Sequence, residues 1–277
     1  MSKVVALTNQ KGGVGKTTTA INLSSALSMM GRKILLIDLD SQANATSGLG
    51  FPRDSLEKSV YDALLGDDDL KSLAMKVDSS GLYLVPSSRD MAGAEVELAG
   101  VIGREMRLKK KLGPVHDEFE YIFIDCPPSL GLLTINALTA SDSVLLPLQC
   151  EYYALEGLTQ LLDTIKLVRE NLNWNLFIEG ILMTMWDYRT NLSKQVVDEV
   201  ASYFPNELYR VVIPRNVKLS ESPGFGMDIF SYDPHCIGAK AYMAASKEFL
   251  GRNGVTIGEI MDGDEEMKQE EDDIYMS

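Results

Sequence analysis

The segment Lys11–Thr18 holds the residue types that bind phosphate groups. Its sequence is KGGVGKTT; a strand-like run, Val4–Thr8, precedes it, and a helical pattern, Thr17–Met30, begins at its end. Glycines let a backbone wrap closely around phosphate oxygens, and the free amides at the start of a helix attract anions. In such a loop the Lys16 side chain reaches the β- and γ-phosphates, and the Thr17 hydroxyl coordinates Mg²⁺. The segment therefore predicts the phosphate-binding loop (P-loop) of a nucleoside triphosphatase.

The first position of this loop departs from the common pattern G-x-x-x-x-G-K-[ST]. Where the pattern requires a glycine, five residues before Gly15, the chain has Gln10, and Lys11 follows it. A cation beside a triphosphate can stabilise the charge that develops in the transition state. A side chain at the loop entrance is poorly placed to reach the γ-phosphate of its own subunit. We therefore expect Lys11 to act across a dimer; the alternative is an ordinary solvated lysine.

Two apolar runs each end in an aspartate. Ile34–Ile37 leads into Asp38, with Asp40 two residues later, and Ile122–Ile124 leads into Asp125. Ligands of open α/β sheets bind beyond the carboxyl ends of the strands, so these carboxylates should lie near the loop. We expect Asp125 to hold Mg²⁺, usually through water, and Asp40 to orient or deprotonate the attacking water. The alternative is that these carboxylates only cap turns.

Short β-branched runs alternate with helix-length amphipathic segments through residues 1–252, which predicts one α/β domain. Its expected architecture is a doubly wound, mostly parallel sheet flanked by helices, the fold of P-loop triphosphatases. The region Ala43–Ser80 is the least regular, and small helices or loops are expected there. The predicted strands are Val4–Thr8, Lys33–Asp38, Leu82–Pro86, Tyr121–Asp125, Ser143–Pro147, Phe177–Met183 and Leu208–Ile213. The predicted helices are Thr17–Met30, Gly93–Leu112, Leu132–Thr139, Leu155–Asn171, Leu192–Tyr203 and Lys240–Gly251.

Composition narrows the class of protein. Of the 277 residues 45% are apolar, which is enough for a core, and the three cysteines are too far apart to suggest a metal-binding pair. The sequence shows neither a leader pattern nor a long apolar run, so we expect a cytoplasmic protein. The net charge is −14, and Val255–Ser277 contains nine acidic residues and one lysine. We predict that residues 253–277 form an acidic, disordered tail; the alternative is that this tail regulates the domain.

The nucleotide base should be adenine, because the Asn-Lys-x-Asp segment that reads guanine in related GTPases is absent from the sequence. The sequence also shows no serine-, cysteine- or histidine-based hydrolase arrangement. His116 and His235 are isolated, and we expect them to be surface or packing residues.

Three segments together resemble the ParA/MinD family of deviant Walker ATPases, and more narrowly its chromosomal Soj subgroup. They are the lysine-first loop Lys11–Thr18, the segment Asp38–Asn44 and the segment Asp125–Ser129. The segments Thr184–Arg189 and Pro214–Ser222 add to the resemblance, which covers residues 1–252. At position 41 the chain has Ser where the family usually has Pro, which is expected to loosen this segment without removing Asp40.

The resemblance implies an ATP-bound homodimer that binds DNA without sequence preference and is associated with the nucleoid. It implies slow, Mg²⁺-dependent ATP hydrolysis that a ParB-type partner stimulates during chromosome or plasmid partitioning. The catalytic residues would be Lys11, Lys16, Asp40 and Asp125, with Thr17 and Asp125 at the metal. The nucleotide would contact Lys11, Gly12, Gly13, Val14, Gly15, Lys16, Thr17, Thr18, Pro214 and Asn216. The DNA contacts would be Arg189 and Lys218, with Lys240, Lys247 and Arg252 extending that surface.

Other functions fit the sequence less well. A MinD-like, membrane-associated ATPase that positions cell division is the main alternative, but it needs a basic amphipathic C-terminal helix, and anionic lipid would repel this acidic tail. We expect no stable membrane association. An iron–sulfur carrier would need paired cysteines, and a ligase of the same fold would need a substrate pocket that the sequence does not identify. A regulator of transcription or replication that uses ATP as a switch stays open.

Overall fold

Seven strands form one sheet in the computed structural model, which describes residues 2–151 and 154–255 without the side chains of residues 54 and 154–156. Within those residues, no helix combines the length and the apolar character needed to cross a bilayer. The strands are β1 Lys3–Leu7, β2 Ile34–Asp38, β3 Met75–Lys76, β4 Tyr83–Val85, β5 Tyr121–Asp125, β6 Ser143–Gln149 and β7 Phe177–Thr184. The α-helices are α1 Lys16–Met29, α2 Asn44–Gly48, α3 Val60–Leu65, α4 Leu70–Leu73, α5 Met91–Leu98, α6 Arg107–Leu112, α7 Leu132–Ala140, α8 Ala154–Asn171, α9 Asn191–Tyr203, α10 Val217–Glu221, α11 Ile229–Tyr232 and α12 Ile237–Arg252.

The strand order β3-β4-β2-β5-β1-β6-β7 is parallel except for the antiparallel pair β3 and β4. Successive side chains of a strand point to opposite faces, and both faces are covered by helices. In β1, Val4 and Ala6 join one core cluster, while Val5 and Leu7 join the other, together with α1 and α12. The predicted doubly wound, mostly parallel α/β fold is confirmed. It places the carboxyl ends of β1, β2 and β5 side by side.

Six of the predicted strands are present, and the seventh, Leu208–Ile213, is wrong. Only a single bridge joins Leu208 to β7, at Ile181. The amides of Arg210 and Val211 instead donate to the Glu248 carboxylate of α12, each at 3.0 Å. A side chain from another element therefore takes two of the amides of this segment. The seventh strand is instead the two-residue β3, within the region where only small helices or loops were expected.

The predicted helix Gly93–Leu112 is also corrected. It is divided into α5 and α6, with a 3₁₀ turn at Arg104–Met106 before α6. Glycine is a poor helix former, and Gly100 and Gly103 flank the break. Further 3₁₀ turns lie at Arg53–Ser55, Gly113–Val115 and Ser222–Phe225. The small helices α2 to α4 lie in the region predicted to be irregular.

A polar cluster joins the last described turn to the start of the sheet. The Lys3 ammonium pairs with the Glu179 carboxylate at 2.5 Å and also donates to the side chain of Asn253. Glu179 accepts hydrogen bonds from Asn253 at 2.7 Å and from Ser143 at 2.6 Å. Val255 packs against the core, so the packed body continues slightly past residue 252. Residues 256–277 lie outside the described residues, and the acidic tail stays a prediction.

Gly180 of β7 should be required for stability. A Cβ at this position would lie 2.3 Å from the Tyr209 ring and 2.8 Å from the Glu207 carbonyl oxygen. We expect Gly180→Ala to destabilise the fold by about 1–3 kcal/mol because the buried ring and the backbone must both move. Urea unfolding followed by circular dichroism measures this change. Gly157→Ala is the control: nothing lies within 4 Å of its Cβ, and alanine favours its helix. Equal stability of Gly180→Ala and the unsubstituted protein would contradict the packing argument.

Candidate functional site

The loop between β1 and α1 is built as a cradle for an anion. Gly13 and Gly15 take the left-handed conformation, with φ of 75° and 86°. The Thr184 hydroxyl donates to the Val14 carbonyl at 2.8 Å, and the Val14 side chain is buried. No side chain caps the start of α1, so the first amides of this helix are not taken by a cap. These features favour binding of a phosphate group at the helix start.

The two lysines of the loop lie in different surroundings. Lys16 is buried, and its ammonium donates to the Lys11 carbonyl oxygen at 3.0 Å. Burial lowers the pKa of Lys16 below its ordinary value, although the Asp125 carboxylate opposes this shift. The Lys11 ammonium instead pairs with Glu151 just beyond β6, and both side chains are more than two-fifths exposed. Lys16 therefore faces the interior of the site, whereas Lys11 points away from it.

Asp125 is fully buried at the end of β5. Neither of its carboxylate oxygens meets hydrogen-bond geometry with any described residue, although the Thr17 hydroxyl lies near them. Burial raises the pKa of Asp125 well above its ordinary value, and the charge of Asp38 raises it further, while Thr17 and Lys16 oppose the rise. An unpartnered buried carboxylate needs a cation or a proton to be stable. This donor set suits a hard divalent cation, whose charge would favour the ionised carboxylate.

Asp38 and Asp40 have different partners although they lie two residues apart. The Asp38 carboxylate is fully buried, and it accepts hydrogen bonds from the Asp40 amide at 3.1 Å and from the Thr46 amide and hydroxyl at 2.9 and 2.7 Å. Burial raises the pKa of Asp38 to about 6. Among the described residues, the Asp40 side chain accepts a hydrogen bond only from the Gln42 amide, at 3.0 Å. Asp38 therefore anchors the backbone, and Asp40 keeps acceptor capacity for a ligand.

The loop, Asp40 and a distant segment line one cavity of about 460 Å³. This cavity adjoins a second cavity of about 320 Å³, and several residues line both. Pro214 and Asn216 line the second cavity. The Asn216 side chain accepts from the Lys218 amide at 2.8 Å, which fixes the orientation of this side chain. Lining residues of the first cavity include Gly12, Gly13, Gly15, Lys16, Thr17, Thr18, Asp40, Gln42, Asn44, Ser47, Pro128, Met185, Ser222, Pro223 and Met227.

Most of the predicted site residues thus come together. Lys11 is the main exception, because it lies at the rim and is paired with Glu151. Sequence reasoning gave no role in the site to Thr184, which contacts the loop, or to the wall formed by residues 222–227. Glu151 follows β6 as Asp40 follows β2, so its position in the sequence marked it as a candidate site residue. Its ion pair with Lys11 could not be predicted from the sequence.

The predicted DNA-contacting residues Arg189 and Lys218 lie near the same edge of the sheet as the cavity. Arg189 follows β7, is 70% exposed, and donates to both carboxylate oxygens of Asp187 at 2.9 and 2.8 Å. Hydrogen bonds from Arg189 lower the pKa of Asp187 to about 2. Lys218 pairs with Glu221 at 3.1 Å, and its ammonium lies 5.5 Å from the centre of the Tyr232 ring.

The predicted DNA-contacting cations of α12 differ in their positions and in the contacts that they make within the subunit. Lys240 lies near the start of the helix, and Lys247 lies about two turns further along. Arg252 is held by the Glu248 carboxylate and donates to the carbonyl oxygens of residues 206–208. Its guanidinium therefore fixes a loop, and its place in the DNA surface stays a prediction.

This arrangement can bind a nucleoside triphosphate with a divalent cation and can position water for its hydrolysis. Residues 2–178 match the AAA domain family AAA_31. The sporulation initiation inhibitor protein Soj of Bacillus subtilis is 54% identical over 254 residues, which is 92% of this chain and 100% of that protein. The chromosome-partitioning ATPase Soj of Treponema pallidum is 49% identical, over 92% of this chain and 99% of that protein.

The chain belongs to the Soj/ParA family of chromosome-partitioning ATPases. The resemblance predicted from the three segments is therefore confirmed. A solved structure from Mycobacterium smegmatis, described as cobyrinic acid a,c-diamide synthase with bound ADP and magnesium, is 39% identical to this Soj/ParA chain. The match covers 89% of this chain and 93% of that chain, with a TM-score of 0.79. The roles of individual residues stay predictions.

Proposed function

We propose that the protein is an ATP-dependent dimerising switch that binds DNA without sequence preference and acts in partitioning with a ParB-type partner. The position of Lys11 carries the dimer part of this proposal. Its ammonium pairs with Glu151 at the rim and is not among the groups that line the cavity. A cation so placed is better positioned to reach a phosphate of a facing subunit than one in its own cavity.

Within the subunit we propose the following roles, which the geometry supports. Lys16 and the amides at the start of α1 bind the phosphate groups, and Pro214 and Asn216 hold adenine in the adjoining cavity. When present, Mg²⁺ neutralises phosphate charge; Thr17 and Asp125 are the residues that would hold it. Asp40 orients or deprotonates the attacking water. The relatives' names and the bound ADP and magnesium of the M. smegmatis protein support ATP as the nucleotide.

The DNA part of the proposal depends on cations near the cavity edge. A binder without sequence preference needs only phosphate contacts, and pairing two subunits doubles a small cationic surface. Arg189 uses two of its five N–H groups on Asp187, which leaves others for a phosphate oxygen. Lys218, Lys240 and Lys247 are further candidates. In the cell, binding of this surface to DNA would keep the protein on the nucleoid, within the cytoplasm.

A DNA gel shift combined with liposome pelleting tests the proposal. We expect the protein to shift two DNA fragments of unrelated sequence equally with ATP and to shift neither with ADP. Hydrolysis should be slow for the protein alone and faster with DNA and a ParB-type protein. Pelleting with anionic liposomes instead of DNA would favour the MinD-like alternative. No nucleotide-dependent binding to either would contradict the switch.

A second candidate is suggested by the 39% identity to the M. smegmatis protein. Under that alternative, ATP turnover would require cobyrinic acid and an ammonia source and would not respond to DNA. We favour partitioning because the identity to the two Soj proteins is higher, at 54% and 49%. Measuring phosphate release with each set of additions separates the two functions.

Arg189→Ala should weaken binding to all DNA sequences to a similar degree. One lost phosphate contact lowers the salt dependence, the slope of log K against log salt, by about 0.9 per subunit. Asp187→Ala should have the opposite effect, because it frees the guanidinium from its carboxylate partner. Fluorescence anisotropy at several salt concentrations measures both variants. Lys33→Ala, an exposed lysine before β2 at the other edge of the sheet, is the control. Loss of binding to one sequence only would contradict a phosphate contact.

A further inference from the structure

Two walls of the nucleotide cavity come from distant parts of the chain. One wall continues from Asp40 into α2 and includes Gln42, Asn44 and Ser47. The other wall is the segment 222–227, of which Ser222, Pro223 and Met227 line the cavity. A nucleotide in this cavity would contact both walls, so any direct contact between them bears on how binding affects Asp40.

The walls touch through glycines. A Cβ at Gly226 would lie 2.7 Å from the Gly50 Cα, and a Cβ at Gly50 would lie 3.1 Å from the Gly226 carbonyl oxygen. Beside them, a Cβ at Gly48 would lie 2.9 Å from the side chain of Ile21 in α1 and 3.4 Å from that of Pro223. Backbone therefore packs on backbone here, with no flexible side chain between the walls to absorb a movement.

From this contact a hydrogen-bonded unit leads back to Asp40. Gly50 follows α2, and its amide donates to the Ser47 carbonyl at 3.0 Å. Near the start of α2, Thr46 donates to Asp38 through its amide and its hydroxyl. The Thr46 hydroxyl also accepts from the Ser87 amide at 2.9 Å, and the Ser87 hydroxyl donates to the Asp40 carbonyl at 2.7 Å. The backbone of Asp40 and the helix α2 are thus held as one unit.

We propose that Gly50 and Gly226 are positioning residues that couple the segment 222–227 to Asp40 through α2. Their close approach sets the distance between the two cavity walls. Through the hydrogen bonds of Thr46 and Ser87, the position of Asp40 then depends on that distance. The segment 222–227 then has two roles: it helps to hold the nucleotide, and it helps to set the position of the Asp40 carboxylate. This inference rests on the proposed role of Asp40.

Gly226→Ala tests the coupling, with two matched controls. The added methyl group would force the walls apart at Gly50. Gly224→Ala makes the same change in the same segment, where nothing lies within 4 Å of the new Cβ. Because Gly226 has a φ of +67°, the variant also strains the backbone. Gly31→Ala controls for this strain, since its φ is +80° and nothing lies within 4 Å.

Two measurements show the effect. In the nucleotide-free protein, hydrogen exchange at the amides of Thr46 and Ser87 should be faster in Gly226→Ala than in either control. At saturating ATP, turnover should fall by about tenfold or more, since small misplacements of a reacting group are costly in rate. The dissociation constant for ATP should change far less than turnover does. If Gly226→Ala does not fold, Gly50→Ala makes the same test from the other wall.

Equal exchange and equal turnover in Gly226→Ala and Gly224→Ala would overturn the coupling. So would a loss confined to ATP affinity, because the segment would then only bind the nucleotide. Failure of the proposed role of Asp40 is distinguishable from both. In that case Asp40→Ala hydrolyses ATP at the ordinary rate, whereas a failed coupling leaves Asp40→Ala inactive and Gly226→Ala unaffected.

Discussion

Asp40→Ala is expected to lower the rate of ATP hydrolysis by about 10²–10⁴-fold while leaving ATP binding intact. The Asp40 carboxylate lines the cavity and has one hydrogen-bond partner among the described residues, the Gln42 amide. Among the described residues, no group of the phosphate-binding loop donates a hydrogen bond to this carboxylate, so its loss should spare affinity. The variant should accumulate as an ATP-bound dimer that stays on DNA. Single-turnover phosphate release and sedimentation in ATP measure the two effects.

Asp40→Asn separates chemistry from structure in this experiment. The asparagine side chain keeps an oxygen that can accept from Gln42, so the local turn is retained, but it cannot take a proton from water. We expect Asp40→Asn to be as inactive as Asp40→Ala. If either variant hydrolysed ATP at the ordinary rate, the assignment of Asp40 to the attacking water would be wrong.

Lys16→Ala is expected to weaken ATP binding by about 100-fold or more. Hydrogen bonds to charged groups contribute about 1.5–3 kcal/mol each, and the buried Lys16 ammonium is placed to donate to the phosphate groups. Its removal also takes away the cation that opposes the raised pKa of the Asp125 carboxylate. Isothermal titration with ATP and Mg²⁺ measures the affinity.

Lys11→Ala is the informative comparison for this variant. Lys11 opens the same loop but pairs with Glu151 at the rim, so its loss should leave the affinity of the monomer for ATP nearly unchanged. The deficit should appear in dimer formation and in hydrolysis. A Lys16→Ala protein that binds ATP normally would contradict the placement of this ammonium at the phosphates.

Local patterns predicted the parts of the fold that local chemistry decides. The apolar runs that became β1, β2 and β5 were predicted within a residue or two because both faces of those strands are buried. The aspartates at the ends of β2 and β5 were predicted to lie at the same site near the loop, and Asp38 and Asp125 are register partners. The loop and the cavity around it followed from the same patterns.

Interactions between distant segments were not predicted. Leu208–Ile213 has the pattern of a strand, but Glu248, about 38 residues away in the chain, takes two of its amides. The contact of Gly50 with Gly226 and the pairing of Lys11 with Glu151 are likewise set by tertiary packing. The periodicity of apolar residues in the sequence does not predict such contacts, because they depend on the positions of other elements in the fold.

The polar cluster of Lys3, Glu179 and Asn253 brings the two described ends of the chain together. Ser2 precedes β1 and Val255 follows Asn253, so both lie at the edge of the sheet where its parallel strands begin. The cavity lies at the other edge, about 15–20 Å away across strands of this length. A fluorophore attached at Ser2 or Val255 would therefore report on the position of the protein in the cell without obstructing nucleotide entry.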